Sequence, residues 1–390
     1  MQTNITIAYF LVFFRHAYLW VGIWVFYYLR FTNYAGIGLL ESALIITLTL
    51  AEIPTGAIAD MFGKKKTLIV AFLLQAVGIY FLAYAGGFSG LLLGIIISCV
   101  GGAFYSGTIE ALVYDSLKQM GRESLYDKAV ANMTSISMIA PAVASVIGGF
   151  LYLTQPNLPF IIHANLYLLG FLFCLFLIEP KIDTQKFSLQ NFFSQTKYGL
   201  KHLFTNTDLK RQTMLLLVIG GFSVMAAESV NDFLGVEFGF RPEELGILWA
   251  VILLIGGLVS QAAPHFKKYT QELTAVFFIG VAIALTFLIS PVVGLWIGGL
   301  SLLIRVCFQG LFRSLSMVLI NEKTPSQYRA TTISSFNLLQ NIPYVATAFY
   351  IGSLSDLYTA KIVSGWMGAA LLLLLGVLLL ERFRYGFSKS

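Results

Sequence analysis

The chain has 390 residues, of which 57% are hydrophobic and only 11% charged, and its formal net charge is +6. With a mean hydropathy of +0.80, that composition excludes an ordinary soluble domain. The basic balance does not mark a nucleic-acid binder either, because the Lys and Arg residues are spread over short loops and form no patch interleaved with aromatic residues.

Crossing a bilayer takes roughly 20 apolar residues in a helix. In chain order such segments are expected at 6–29, 36–59, 67–86, 89–117, 129–152, 158–178, 212–236, 244–265, 272–290, 293–320, 329–352 and 359–381. The first contains Arg15 and His16 and is too long and too interrupted for a cleaved signal peptide. The hydrophilic stretch 179–211 divides the twelve segments into two sets, 1–178 and 212–390. Within it, Leu189, Phe192, Phe193, Tyr198, Leu200 and Phe204 recur at near-helical spacing, leaving Lys197 and Lys201 to face lipid headgroups were the helix to lie on the membrane. A linker helix is expected there, with a helix lying on the membrane surface as the other reading.

Charge placement orients the chain. With the N-terminus inside, Lys64–Lys66, Lys118, Arg122, Lys128, the basic residues of 179–211, Lys267, Lys268, Lys323, Arg329, Arg382, Arg384 and Lys389 all fall on the inner side. Only Arg30, Arg241 and Lys361 fall outside. The expectation is an integral protein of the cell (inner) membrane with both termini cytoplasmic. Cys99, Cys174 and Cys307 all lie within segments, so neither disulfides nor cysteine metal sites are expected. No metal-ligand spacing, phosphate-binding loop or soluble region large enough for an ATPase domain occurs, which argues against an enzyme and against any cofactor. The expected partners are a small-molecule substrate, protons and membrane lipids, with the protein a monomer.

A charge at the bilayer centre costs about 2.5–3.5 kcal/mol on insertion scales, so it must face protein or water. Such charges occur as Arg15 and His16 in the first segment, Glu41 and Glu52 in the second, and Glu110 and Asp115 in the fourth. Glu228 and Asp232 lie in the seventh, and Arg305 and Arg313 in the tenth. Arg305, Gln309 and Arg313 form one polar stripe at four-residue spacing. Arg15 and Tyr18 share a helix face, Glu110 and Tyr114 are one turn apart, and Asn231 lies beside Asp232. Asn337 and Asn341 add uncharged polar groups in the eleventh segment. Together these twelve residues, Arg15, Tyr18, Glu110, Tyr114, Glu228, Asn231, Asp232, Arg305, Gln309, Arg313, Asn337 and Asn341, are the candidate substrate-binding set. Guanidinium groups with tyrosine rings suit an amphipathic or anionic organic molecule, since Arg grips a carboxylate bidentately. Candidate proton-coupling groups are Glu110, Asp115, Glu52 and His16. Plainer readings stand beside these: Glu52 supports its own helix, Asp115 pairs with a loop lysine or Arg122, and Glu41, Glu228 and Asp232 are hydrated near the outer surface. Arg305, at mid-depth, calls for an anionic partner: Glu110, Glu228 or the substrate.

Between the second and third segments runs Gly56-Ala-Ile-Ala-Asp60-Met-Phe-Gly63-Lys64-Lys65-Lys66. This resembles the signature loop of the major facilitator superfamily: Gly, three residues, Asp, a basic residue, any residue, Gly, two basic residues. Gly56, Asp60, Gly63, Lys64 and Lys65 fit, and Met61 departs from the usual basic residue. Gly56 permits close helix approach, Gly63 a sharp turn, and Asp60 an ion pair or a helix cap. The resemblance covers essentially the whole chain. It implies an all-α membrane fold of two six-helix bundles, with segments 1, 4, 7 and 10 lining a transport pathway and the loop acting as a gate. Traces of duplication agree: Gln261 stands where Asp60 does, and Gly107-Thr-Ile-Glu110 answers Gly310-Leu-Phe-Arg313. The implied function is secondary active transport by alternating access, with proton-coupled export first and proton-coupled uptake of an organic anion as the alternative. Pro141 and Gly148-Gly149 lack the compact Gly-Pro spacing of the superfamily's antiporters, which weakens export. A passive facilitator or a membrane-embedded receptor is the reading from another class.

Overall fold

The computed structural model describes residues 1–181, 189–205, 207–261, 272–325 and 328–386. Among these the regular structure is entirely helical. The helices are α1 Gln2–His16, α2 Trp24–Tyr28, α3 Tyr34–Phe62, α4 Lys64–Ala83, α5 Phe88–Tyr105, α6 Thr108–Gln119, α7 Tyr126–Thr154 and α8 Leu158–Leu175. After them come α9 Leu189–His202, α10 Thr207–Met225, α11 Asn231–Glu237, α12 Pro242–Gln261, α13 Glu272–Leu288, α14 Leu295–Lys323, α15 Arg329–Tyr358 and α16 Ala360–Gly386. Ten spans are long and apolar enough by themselves to cross a membrane. The other two crossings of a twelve-helix membrane protein are α1–α2, which is broken, and α15, which is comparatively polar.

Three segments that read as single helices are interrupted. The first breaks after His16: Ala17 has φ −74° and ψ 59°, an inverse γ-turn, and the Tyr18 N–H donates to the His16 carbonyl at 2.8 Å. The chain returns to helix at Trp24 through Gly22, whose φ is +80°. The fourth breaks at Ser106 (φ −57°, ψ 126°) and Gly107 (φ 73°, ψ −25°), the dihedrals of a type II turn. The seventh contains a π turn, Ala226–Val230, between α10 and α11.

The signature turn is tighter than expected. Helix α3 continues through Phe62, and Gly63 alone (φ +91°) separates it from α4. The first N–H groups of α4, those of Lys64 and Lys65, both donate to the Glu179 carboxylate at 2.7 Å. Lys65 Nζ reaches the Leu175 carbonyl at 2.8 Å. The side chains of Gly56 and Asp60 lie outside the described part, as do residues 262–271, most of the second-half counterpart of the loop.

The chain forms two compact units, 1–188 with 241–254, and 189–240 with 255–390. Helix α9 belongs to the second unit and is docked on α15 and the end of α14. Tyr198 stacks on Tyr328 with centroids 3.7 Å apart, and His202 Nε2 lies 3.0 Å from the Lys323 carbonyl. The first half of α12 groups with the first unit, whereas the sequence pattern places it with the later helices. Glycines explain that grouping: a Cβ on Gly149 would lie 2.9 Å from Glu243 Cα, and one on Gly246 would strike the Ser145 carbonyl.

At the start of α16 the device of the signature turn recurs. Glu237 accepts the N–H groups of Ala360 at 2.7 Å and Lys361 at 2.9 Å, and Lys361 Nζ reaches the Val293 carbonyl at 2.7 Å. The preceding residue is Thr359, with φ 83° and ψ 145°, close to the 91° and 153° of Gly63. A β-branched residue is strained in that region by about 1–3 kcal/mol, and its Oγ1 compensates only with a 3.4 Å contact from the Ile362 N–H. Thr359→Gly should therefore raise the thermal unfolding midpoint of the purified protein in detergent; an unchanged or lower midpoint would show that the strain is absent.

Candidate functional site

The break in the first span gathers polar side chains in the interior of the first unit. Arg15, in the last turn of α1, is half-buried. Its Nη1 donates to Tyr18 Oη on the break and, at 3.3 Å, to Tyr167 Oη on α8. The guanidinium lies 5.3 Å from the centre of the Tyr18 ring and 5.7 Å from that of Tyr105 on α5. Gly102 lies against the guanidinium: a Cβ there would stand 3.6 Å from Arg15 Nη2, an ordinary van der Waals contact. Arg15 Nε, Tyr105 Oη and Trp20 Nε1 are buried without partners. The lining is thus rich in hydrogen-bond donors, and the cation's own partners are neutral phenols. His16 sits at the edge, with Nδ1 2.9 Å from the Val12 carbonyl and its ring against Tyr18 and Tyr105.

The other candidates of the first unit lie along α3, α4 and α6. Glu110 is exposed in the first turn of α6, and its carboxylate turns back toward the N–H groups of Gly107 and of its own residue. That is the reach of a capping-box glutamate, and it fastens the helix restarting after the type II turn. Tyr114 is exposed, edge-on to Tyr126 and beneath Lys118. Asp115 is buried and pairs with Lys64 of the signature turn at 2.5 Å. Glu52 is exposed on α3.

In the second unit Arg305 is 0% exposed. It makes four hydrogen bonds: Nε to Thr286 Oγ1 at 3.0 Å, Nη1 to Asn231 Oδ1 at 2.9 Å, and Nη2 to the Thr286 carbonyl at 2.7 Å and Ser290 Oγ at 3.3 Å. Its guanidinium lies 4.1 Å from the centre of the Phe287 ring. The anionic partner expected for it is not among these contacts; dipoles of α11 and α13 take that role, and the residue is sealed. Gln309 donates to the Ser223 carbonyl at 3.2 Å. Glu228, half-buried in the π turn, faces the charge of Arg313, which is exposed. Asp232 is buried, Asn337 is exposed and Asn341 half-buried.

The structure thus joins Arg15 with Tyr18, and Arg305 with Asn231. Sequence reasoning passed over Tyr105, Tyr167, Trp20 and His163. His163 carried a signal, being an ionisable side chain in the middle of an apolar segment. A groove of about 620 Å³ lies on a different face of α1, lined by Thr6, Tyr9, Phe10, Phe13, Phe14, Ile136 and Phe173. Its lining is apolar, so it offers an anion nothing.

Comparison with known proteins decides the family. The family model described as Major Facilitator Superfamily matches residues 5–348. The chain belongs to that superfamily. Among curated superfamily relatives, an uncharacterized transporter, YxaM of Bacillus subtilis (strain 168), is 23% identical over 69% of this chain and 68% of its own length. The nitrite extrusion protein of the same organism is 23% identical over 70% of this chain and 66% of its own length. The multidrug resistance protein MdtH of Proteus mirabilis (strain HI4320) is 24% identical over 58% of this chain and 55% of its own length. The crystal structure of the nucleoside transporter NupG superposes with a TM-score of 0.79 at 15% identity, covering 97% of this chain and 98% of that one. That likeness shows the fold. A superfamily member is a transport protein rather than an enzyme, and its spans make it an integral membrane protein.

Two stability predictions follow from the buried cations. Arg305→Ala strips donors from Asn231 and Thr286 in a closed pocket, at about 1–3 kcal/mol for each acceptor left bare. Its melting temperature and yield should fall, and Arg305→Lys should recover part of the loss. Asp115→Ala leaves the Lys64 ammonium uncompensated, about 3–5 kcal/mol for a buried pair. Adding Lys64→Met to it should bring the melting temperature back toward wild type; a double variant no better than Asp115→Ala would deny the pair.

Proposed function

We propose that this protein is a secondary active transporter that carries a small anionic or amphipathic organic solute out of the cell by alternating access, coupled to protons. The observation that carries the reading is Arg15: a half-buried guanidinium in a membrane span, hydrogen-bonded to phenols, with Nε unpartnered. A cation at that depth is stabilised by an anion, and the planar fork suits a carboxylate or a similar oxyanion. Tyr18, Tyr105 and Tyr167 surround it with hydroxyls and ring faces, and Trp20 lies against Tyr18, which favours a planar, partly apolar anion.

Relatives named for nitrite extrusion and for multidrug and tetracycline resistance support export. Both termini cytoplasmic, an inner-membrane location and a monomeric state complete the proposal. Glu110, at the restart of the fourth span, and Glu228, in the π turn opposite Arg313, are the carboxylates proposed to exchange protons with the pathway. Uptake of an organic anion is the second reading, favoured by the spacing of Pro141 and Gly148-Gly149 in α7.

The test is transport into proteoliposomes with benzoate and nitrite as probes. Wild type should accelerate counterflow of at least one of them. Arg15→Gln should reduce it at least tenfold, and Arg15→Lys less, because the charge survives without the fork. Equal transport by Arg15→Gln, or a protein that moves only cations, would overturn the anion reading.

A further inference from the structure

His163 stands where nothing about packing calls for an imidazole. It lies in the second turn of α8 and is 0% exposed. Its ring stacks on Tyr18 at 5.6 Å with an interplanar angle of 6°, and it leans on Tyr167 at 4.5 Å and Trp20 at 6.5 Å. Neither Nδ1 nor Nε2 has a hydrogen-bond partner. The Ala17 carbonyl of the γ-turn approaches the ring as an acceptor without completing a hydrogen bond of normal geometry. Buried polar groups are nearly always paired, so a histidine with both nitrogens bare needs a reason.

The charged and titratable groups around it are few. From α1 it faces Arg15 and His16; the break supplies Tyr18 and α8 itself Tyr167. The carboxylates nearest the cluster stand one residue further out, Glu110 beyond Tyr105 and Glu41 beyond Cys99. In the empty site an imidazolium would stand beside a guanidinium, out of water and without a hydrogen bond, an arrangement of like charges that low dielectric penalises heavily. An anion on Arg15 reverses this. It cancels the neighbouring guanidinium charge, and with it the repulsion that keeps the imidazole neutral.

We propose that His163 is the proton-binding residue of the Arg15 site, taking up a proton when an anion docks on Arg15, so that anion and proton occupy the site together. The inference rests on the anion reading of the proposed function and adds the stoichiometry and the sense of coupling. The proton is given up by hydronium or by the protonated buffer, whose O–H or N–H bond breaks as the N–H bond to a ring nitrogen forms; no other bond changes. Because each binding event favours the other, the coupling is reciprocal. The proton is then a fellow passenger of the anion, where exchange transport would have it travel the opposite way. Under an inward proton gradient such co-transport drives the anion inward, so this inference favours the uptake reading over active export.

The experiment is calorimetric titration of the purified protein with benzoate, and with nitrite, at matched pH in Bis-Tris and in Tris, two cationic buffers with different heats of ionisation. Wild type should take up about one proton per anion bound, and affinity should weaken by about tenfold per pH unit as pH rises through the range of uptake. His163→Gln should bind the same anion with no proton uptake and a flat pH profile. Anion binding by wild type without proton uptake overturns the role of His163 and leaves the anion reading intact. Uptake that persists in His163→Gln does the same. No binding of either probe by folded wild type at any pH overturns both. The wild-type measurement decides by itself if the variant fails to fold.

Discussion

A backbone amide or carbonyl left bare in hydrocarbon has no water to turn to, and each costs several kcal/mol. This constraint shapes the whole molecule, because it makes an interrupted helix expensive wherever lipid can reach it. The interruptions fall in the first, fourth and seventh spans, and each is closed locally: by the γ-turn at Ala17, by the Ser106–Gly107 turn with Glu110 folded over the restart, and by the π turn at Ala226–Val230. These same spans carry Arg15, Glu110 and Glu228. Where the helix gives up regularity it gains a polar group displaced from the helical lattice, and that is what a solute pathway through a membrane requires.

Arg15 and Arg305 show how the same side chain serves two ends. Both lie in membrane spans and both are held by neutral oxygens. Arg305 is enclosed, its contacts drawn from three helices, and it reads as a brace. Arg15 keeps an unpartnered Nε and an open side. Depth in the membrane does not separate them; satisfaction does. A fully bonded guanidinium has little to gain from a substrate, while a partly bonded one already holds its fork in place for a ligand to complete.

The spans were legible because hydropathy is summed over many residues and tolerates local exceptions. The breaks were not. Nothing about Ala17 distinguishes a γ-turn from helix, and Gly22 and Gly107 lie inside segments whose hydropathy reads as continuous helix. The signature turn was legible down to Gly63, whose positive φ its sequence context demands. At the site, Arg15 and Tyr18 stood out by charge and spacing. Tyr105 and Tyr167 did not, since a tyrosine in an apolar run reads as interfacial or lipid-facing. His163 is a single ionisable residue in an otherwise apolar segment, and the stacking on Tyr18 that gives it a place at the site exists only once the first span breaks. The partners of Arg305, Thr286, Ser290 and Asn231, are ordinary polar residues that only folding brings to one point.

Gly22, Gly148, Gly149 and Gly246 form a seam with no side chains of its own. Gly148 meets the Leu19 carbonyl of the break, Gly246 meets Ser145, and Gly22 meets Trp249 and Gly246 of α12. Backbone rests on backbone there, so the seam has almost no rotamer freedom and cannot yield by repacking; it is either closed or parted. Leu19 lies between Tyr18 and Trp20, two of the groups around Arg15 and His163. Those rings therefore ride on the seam. On the proposed reading of the site, a solute that held those rings against Arg15 would by reciprocity favour the closed seam. Occupancy and backbone closure in this unit become two readings of one equilibrium, joined through a single leucine carbonyl.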